Sequence, residues 1–425
     1  MTSVDDVEAW EVLDSRGHPT VRARVSAGDA TGTFTVPAGA STGAHEAHEL
    51  RDGGDRYRGL GVREAVANVR DELAAVAVGR DVTDQRGLDE ALADADGTES
   101  LSNLGANAVL AVSGAAAHAA ADARGLSLYR HLADLADNPR PVMPLPMVNV
   151  VSGGLHAEGG IEVQDFLVMP TGADSYREGI ETVFAVRQAV RDRVVEMGAR
   201  PLVADEGGFA PPVDGIDEVF ALLAAAVRDA GHEPARDDVA FAVDVAATHF
   251  YDADRERYVL SSLDRELDRD GMADLVADWT ADYPVVSVED PLAEDDWAGW
   301  RALADRLDCQ VLGDDLLVTD ADRLSRAVED GAANAVLVKF NQAGTLTRAL
   351  AVVAAARDAG FAHVVSARSG ETSDWTIADL AVATGPAQLK VGSLARSERL
   401  AKYNRLFELE RAGLPESPGV PVANF

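Results

Sequence analysis

Lysine is almost missing from this sequence. Lys339, Lys390 and Lys402 are the only three among the 38 basic residues of a 425-residue chain, and all the others are arginine. Arginine keeps its proton at any working pH, so a composition that prefers it leaves lysine where a deprotonatable amine is needed. Cysteine is limited to Cys309, which excludes an internal disulfide framework and fits a reducing compartment. Positive charge is scarce as well. A net charge of −34 and a pI near 4.5 argue strongly against nucleic acid or an anionic membrane surface as partners. The acidity is spread along the chain, so it reads as a solvated surface that would suit a salt-rich cytoplasm. Neither a signal peptide nor an apolar run long enough to span a bilayer is evident, so a cytoplasmic protein without a membrane partner is expected.

Hydrophobic residues make up 47% of the chain, enough for a substantial core, and the length predicts two domains. Residues 7–36 carry strand signals around a turn at 14–19, a small-residue loop covers 36–46, and helical patterns span 62–78 and 105–124. This predicts an N-terminal α+β unit over 1–135. A proline-dense stretch, ADNPRPVMPLP at 136–146, reads as a linker. Beyond it, over 136–425, short apolar strands alternate with helices. Strands are predicted at 163–169, 202–204, 240–244, 285–289, 310–313, 335–339, 362–366 and 388–390. A closed parallel barrel of the (β/α)8 kind is the economical solution, with an open doubly wound sheet as the runner-up. The absence of a dinucleotide glycine fingerprint or Walker loop weakens that runner-up.

Three of these strands end in acid: Asp244, Glu289 and Asp314. Lys339 and Lys390 close two later ones. On a barrel all five converge on one rim, where catalytic groups of such folds sit. Three hard oxygen ligands describe Mg2+, and no Cys/His spacing supports zinc. A divalent ion facing a lysine base suggests removal of a proton next to a carboxylate, with the metal holding the enolate. Each acid alone could equally be a loop cap or a surface charge.

Several stretches then become familiar: DSRGHPT (14–20), GASTGAHE (39–46), DEGG (205–208), SVEDPLAEDDW (287–297), GDDLLVT (313–319), VKFNQAGT (338–345), RSGET (368–372) and ARSERLAKYN (395–404). In order and over nearly the whole chain, they resemble the enolase (phosphopyruvate hydratase) family. The resemblance implies an enolase-type barrel capped by the N-terminal domain. It makes Asp244, Glu289 and Asp314 the ligands of a high-affinity Mg2+, with a second ion arriving with substrate. Lys339 matches the base for the C2 proton, Lys390 the partner of the substrate carboxylate, and Glu206 the acid assisting loss of the C3 hydroxyl. Gln164, Arg368 and Ser369 match substrate contacts, the last two at the phosphate. Ser41 matches a lid, and His156 another active-site residue. The implied substrate is a small phosphorylated carboxylate, and the implied assembly a homodimer or higher homo-oligomer.

The sequence departs from that pattern inside the site. Ala367 stands where the family carries histidine before RSGET, and Asp165 stands where the family has the glutamate of QEF. Both positions surround the leaving hydroxyl in the family. Trp10 replaces an arginine that pairs across the family dimer with the glutamate matching Glu398. Three readings stay open: a phosphopyruvate hydratase, a specialised paralogue such as a carboxyphosphonoenolpyruvate synthase using nucleotide-activated phosphonoformate, or a non-catalytic binding protein.

Overall fold

β1 (Asp6–Leu13), β2 (Pro19–Ala27) and β3 (Ala30–Thr35) form an antiparallel meander in the computed structural model, which describes residues 2–39, 43, 45–157 and 160–416. Alternation sets its inner face: Val21, Ala23, Val25 and Ala27 are buried, while Arg22 and Arg24 point away. The turn after β1 is held by Asp14, whose carboxylate accepts the backbone N–H groups of Arg16 and His18. The helix Ala106–Ala123 crosses this sheet at very short range. A Cβ at Gly32 would lie 2.1 Å from the Ala115 carbonyl, and one at Gly114 would lie 2.4 Å from the Phe34 ring. The alanine-rich pattern is therefore a packing requirement of this interface. The other expected helix, 62–78, is one continuous helical run over 63–77 with a π turn at Val69–Leu73.

Eight further strands close into a barrel: β4 (Leu145–Ser152), β5 (Asp165–Met169), β6 (Ala240–Asp244), β10 (Val285–Glu289), β11 (Gln310–Gly313), β12 (Ala335–Val338), β13 (Ala362–Ser366) and β14 (Gln388–Gly392). A small sheet of β7 (Tyr251–Asp252), β8 (Arg257–Leu260) and β9 (Arg265–Leu267) lies between β6 and β10. The barrel interior is apolar, with Met147, Leu167, Met169, Ala242, Leu312 and Leu337 among its fillers. It also holds a reciprocal pair of buried amides: Gln388 donates to Gln310 at 2.7 Å, and Gln310 donates to Gln388 at 3.2 Å and to Ser287 at 3.0 Å. Satisfied in this way, the two glutamines stay buried at little cost.

Two expectations need correction. Residues 202–204 are not a strand. Val203 makes only an isolated bridge to Phe209, and Leu202 is 66% exposed, so this apolar triplet has no sheet to join. The missing barrel strand is β4, which begins at Leu145 and Pro146 inside the proline-dense stretch. Pro146 is tolerated because it falls at the strand's start. The barrel is also not all parallel, since β5 runs antiparallel to both β4 and β6. A parallel crossover usually needs a helix. Among the described residues between β4 and β5 the one helical element is the single turn Gly154–His156, and the chain returns as a hairpin.

The N-terminal unit is seated on the barrel's carboxyl rim. Phe34 meets Phe340 edge-on at 6.2 Å, Ala38 bridges Gly370, and the Leu346 N–H donates to Ser113 Oγ at 3.0 Å.

Candidate functional site

Strand direction decides which residues reach the rim. Asp244 and Glu289 are the last residues of β6 and β10, Asp314 follows β11, and Lys339 follows β12. Asp165 arrives by the opposite route. It is the first residue of the reversed β5, in register with Asp244 on one side and Ser152 on the other. The resulting pocket, about 540 Å3 including its open mouth, is lined by Gln164, Asp165, Glu206, Asp244, Asp314, Lys339, Ala367, Arg368, Ser369 and Lys390, among others.

One part of it is a lattice of acids and amines. Lys390 Nζ lies 2.7 Å from both Asp244 Oδ2 and Glu289 Oε2, and Gln164 donates to the same Asp244 oxygen at 3.1 Å. Lys339 Nζ is bonded to Asp314 Oδ2, whose other oxygen accepts from Gln342 at 2.8 Å. Burial works to lower both ammonium groups, but the carboxylates against them prevail. Lys339 is held above the ordinary lysine range chiefly by Asp314, and Lys390 well above it by Asp244 and Glu289. Burial, together with the neighbouring charge of Asp244, pushes the Glu289 carboxyl well upward.

These residues fit a divalent cation. Glu289 Oε1 is buried without a hydrogen-bond partner, an orphaned acceptor in the middle of the cluster. Glu289, Asp290 and Asp314 offer ligand atoms within 4.8 Å of one another. Asp290 already spends both oxygens on the backbone N–H groups of Asp314 and Asp315, at 3.1 and 2.9 Å, so it fastens the loop that carries Asp314. Asp244 joins the cluster through Lys390. An all-oxygen donor set of this kind suits Mg2+ or Mn2+.

A second part gathers His156, Asp165 and Glu206. Asp165 accepts from Asn149 and from Ser152 Oγ at 2.9 Å, and its other oxygen lies 3.1 Å from His156 Nδ1. His156 Nε2 is 4.0 Å from Glu206 Oε1. Burial disfavours the imidazolium, but Asp165 and Glu206 outweigh it and raise His156 to about 9. Burial likewise works against the Glu206 carboxylate, yet Arg399, His156 and the two lysines hold it down at about 2. Burial also pushes the Asp165 carboxyl up, against the pull of the His156 charge.

The third part is the loop after β13. Arg368 donates to Glu46 at 3.0 and 3.2 Å and to Asn341 at 2.8 Å, and Arg16 donates to Ser369 Oγ at 3.3 Å. Ser41 lies outside the described residues. Arg16, Glu46, Asn341 and Gln342 have no role in the sequence reading, although all four fall inside quoted motifs. Their signal is positional, since Glu46 reaches Arg368 across 322 residues of chain.

A closed barrel that concentrates hard oxygen donors and two amines on its carboxyl rim defines an acid–base site able to hold a divalent cation. Comparison with known proteins is consistent with this class. The family models described as "Enolase, N-terminal domain" and "Enolase, C-terminal TIM barrel domain" match residues 4–132 and 140–416. An enolase of Thermococcus kodakarensis is 45% identical over 427 aligned residues, covering 99% of this chain and 98% of the relative. The chain belongs to the enolase family.

Proposed function

We propose that this protein is a phosphopyruvate hydratase, removing water from 2-phosphoglycerate to give phosphoenolpyruvate. The observation that carries this reading is that Lys339 and the His156–Asp165 pair stand on opposite walls of one pocket. β12, which presents Lys339, and β5, which presents Asp165 to His156, are four strands apart in an eight-strand barrel. A proton on C2 and a hydroxyl on C3 would therefore depart in opposite directions.

In this reading the neutral amine of Lys339 takes the C2 proton, and that C–H electron pair is held as the enolate of the substrate carboxylate until it forms the C2–C3 double bond as the C3–O bond breaks. The departing hydroxide takes its proton from the His156 imidazolium, relayed through Glu206, a carboxylate at rest whose Oε1 lies 4.0 Å from His156 Nε2. Lys390 pairs with the substrate carboxylate, Gln164 contacts substrate beside it, and Arg368 and Ser369 take the phosphate. A divalent ion held by Asp244, Glu289 and Asp314 would supply positive charge at the enolate oxygens and neutralise carboxylates that now raise Lys339. A homodimer belongs to the same reading. Trp10 cannot supply the family's cross-dimer ion pair and instead stacks with Arg24 of its own chain at 5.4 Å.

The carboxyphosphonoenolpyruvate synthase reading is not favoured. Identity to an enolase runs over the whole chain, and the shortened Asp165 still reaches His156. The test is phosphoenolpyruvate formation from 2-phosphoglycerate by the purified protein with Mg2+, alongside the Ala367→His/Asp165→Glu double variant. Turnover by the native protein, raised in the variant, is expected. No turnover by the native protein, with consumption of nucleotide-activated phosphonoformate instead, would overturn the proposal.

A further inference from the structure

The third lysine lies outside the pocket. Lys402 sits on the C-terminal helix Ser397–Arg411, its side chain only 1% exposed, three residues after Arg399, whose side chain is fully buried. That spacing puts both on one face of the helix, toward the back of the loop 368–372. Lys402 Nζ donates to Glu371 Oε2 at 2.5 Å, to the Thr372 carbonyl at 2.7 Å and to the Glu398 carbonyl at 3.0 Å, which uses all three of its hydrogens. Glu371 in turn accepts the Arg368 backbone N–H on its other oxygen at 3.1 Å. Arg399 donates to the carbonyls of Arg368 and Ser369, both at 2.6 Å, and its Nη2 lies 3.9 Å from Glu206 Oε1.

We infer that Arg399 and Lys402 are positioning residues for this reaction: one turn of the C-terminal helix clamps the loop presenting Arg368 and Ser369 and, through Arg399, sets Glu206 at a fixed place relative to it. The inference rests on the roles proposed above for Arg368, Ser369 and Glu206. Neither cation reaches the pocket, and burying a charge for stability alone gains little over apolar packing of similar volume. The backbone supports the same coupling. The Ser393 N–H donates to the Glu206 carbonyl at 2.8 Å, and a Cβ at Gly392 (φ +97°) would lie 2.8 Å from that carbonyl oxygen. Glu206 is thus docked on the end of β14 with its carboxylate toward Arg399. The other charged groups facing it are His156 from the turn after β4, Lys390 from β14 and Lys339 from the end of β12, with Asp165 of β5 behind His156. Among the cations, Arg399 acts on it most strongly. Lysine is retained at 402 because the enclosed site offers three acceptors around one nitrogen, a geometry that suits an ammonium and not a planar fork.

The experiment compares Arg399→Lys, Arg399→Gln and Lys402→Met with the native full-length chain and with Arg368→Gln, measuring kcat, KM for 2-phosphoglycerate, the pH profile of kcat and the thermal midpoint. Lysine at 399 keeps the charge but cannot span two carbonyls and Glu206. A misplacement of about 1 Å costs on the order of 100-fold, so Arg399→Lys should lower kcat/KM by about 10- to 100-fold with the fold retained. Arg399→Gln removes the counter-charge and should move the alkaline limb of the kcat profile, set by the Glu206–His156 proton source, upward by about one pH unit or more. Lys402→Met should raise KM and leave that limb in place. Variants of 399 and 402 that change the thermal midpoint but stay within about twofold of native kcat and KM, with an unshifted profile, would overturn the inference, since such changes fall far below that expected loss. If Arg399→Gln fails to fold, Arg399→Lys and Lys402→Met still decide. Should Arg368→Gln raise KM while they do not, the inference fails and the proposed function stands. Should Arg368→Gln leave KM unchanged, the site assignment itself fails.

Discussion

Replacing Lys339 separates its charge from its capacity to accept a proton. Arginine at 339 still opposes Asp314 but cannot act as a base. Loss of a positioned general base costs about 10² to 10⁴ in rate, or roughly 3 to 5 kcal/mol of barrier at 1.36 kcal/mol per decade. Methionine at 339 removes the charge as well. It leaves Asp314, 8% exposed and beside Glu289 and Asp290, with the Gln342 amide at 2.8 Å as its side-chain donor. Breaking a buried pair in this way costs about 3 to 5 kcal/mol of stability. The assay is proton–deuteron exchange at C2 of 2-phosphoglycerate in deuterated buffer with Mg2+, read by NMR and paired with denaturant unfolding. Lys339→Arg should lose exchange by at least about 100-fold while keeping its stability within roughly 1 kcal/mol, because its charge remains. Lys339→Met should lose both. Exchange at the parental rate in Lys339→Arg would refute the assignment of Lys339 as the base.

Two further outcomes follow from buried groups. Glu289→Gln should weaken Mg2+ binding by calorimetry on the order of 100-fold, about 3 kcal/mol. It should nonetheless raise the thermal midpoint of the chelated protein, because burial and Asp244 already disfavour the Glu289 charge. A lowered midpoint without metal would contradict this. His363, in β13 with Thr384 Oγ1 3.1 Å away, is depressed by burial from 6.5 to about 4. The native state therefore binds this proton less readily than the unfolded chain, and stability should fall as pH drops from about 6.5 towards 4, by about 2 kcal/mol at pH 5. His363→Gln should shrink the difference in unfolding free energy between pH 7 and pH 5 by that amount. An unchanged pH dependence would refute it.

Much of the site was legible because it depends on one-dimensional regularities. A buried strand is a short apolar run, and a reactive residue of such a barrel stands directly after one. Asp244, Glu289, Asp314 and Lys339 could therefore be placed from the sequence of their own strands. The motifs around them supplied the family and hence the expected chemistry. Lysine scarcity separated Lys339 and Lys390 from a background of arginine without any structure.

The remainder depended on which distant segments meet. β4 was hidden by prolines that only a strand's start can tolerate, and 202–204 had the right composition but no neighbour to pair with. The reversal of β5 brings Asp165 to the rim from the beginning of a strand, a place no rule about strand ends would search. Arg368's pairing with Glu46 spans 322 residues, and Arg399 reaches the Ser369 carbonyl across 30. The sequence by itself determined most of the elements, the family and the acids and amines that stand at strand ends, because these follow from local periodicity, motif and residue type. Only the tertiary structure decided strand direction, the seating of the N-terminal unit on the rim and the charge that surrounds Glu206, because each is set by packing and Coulomb interactions between residues that the chain order keeps apart.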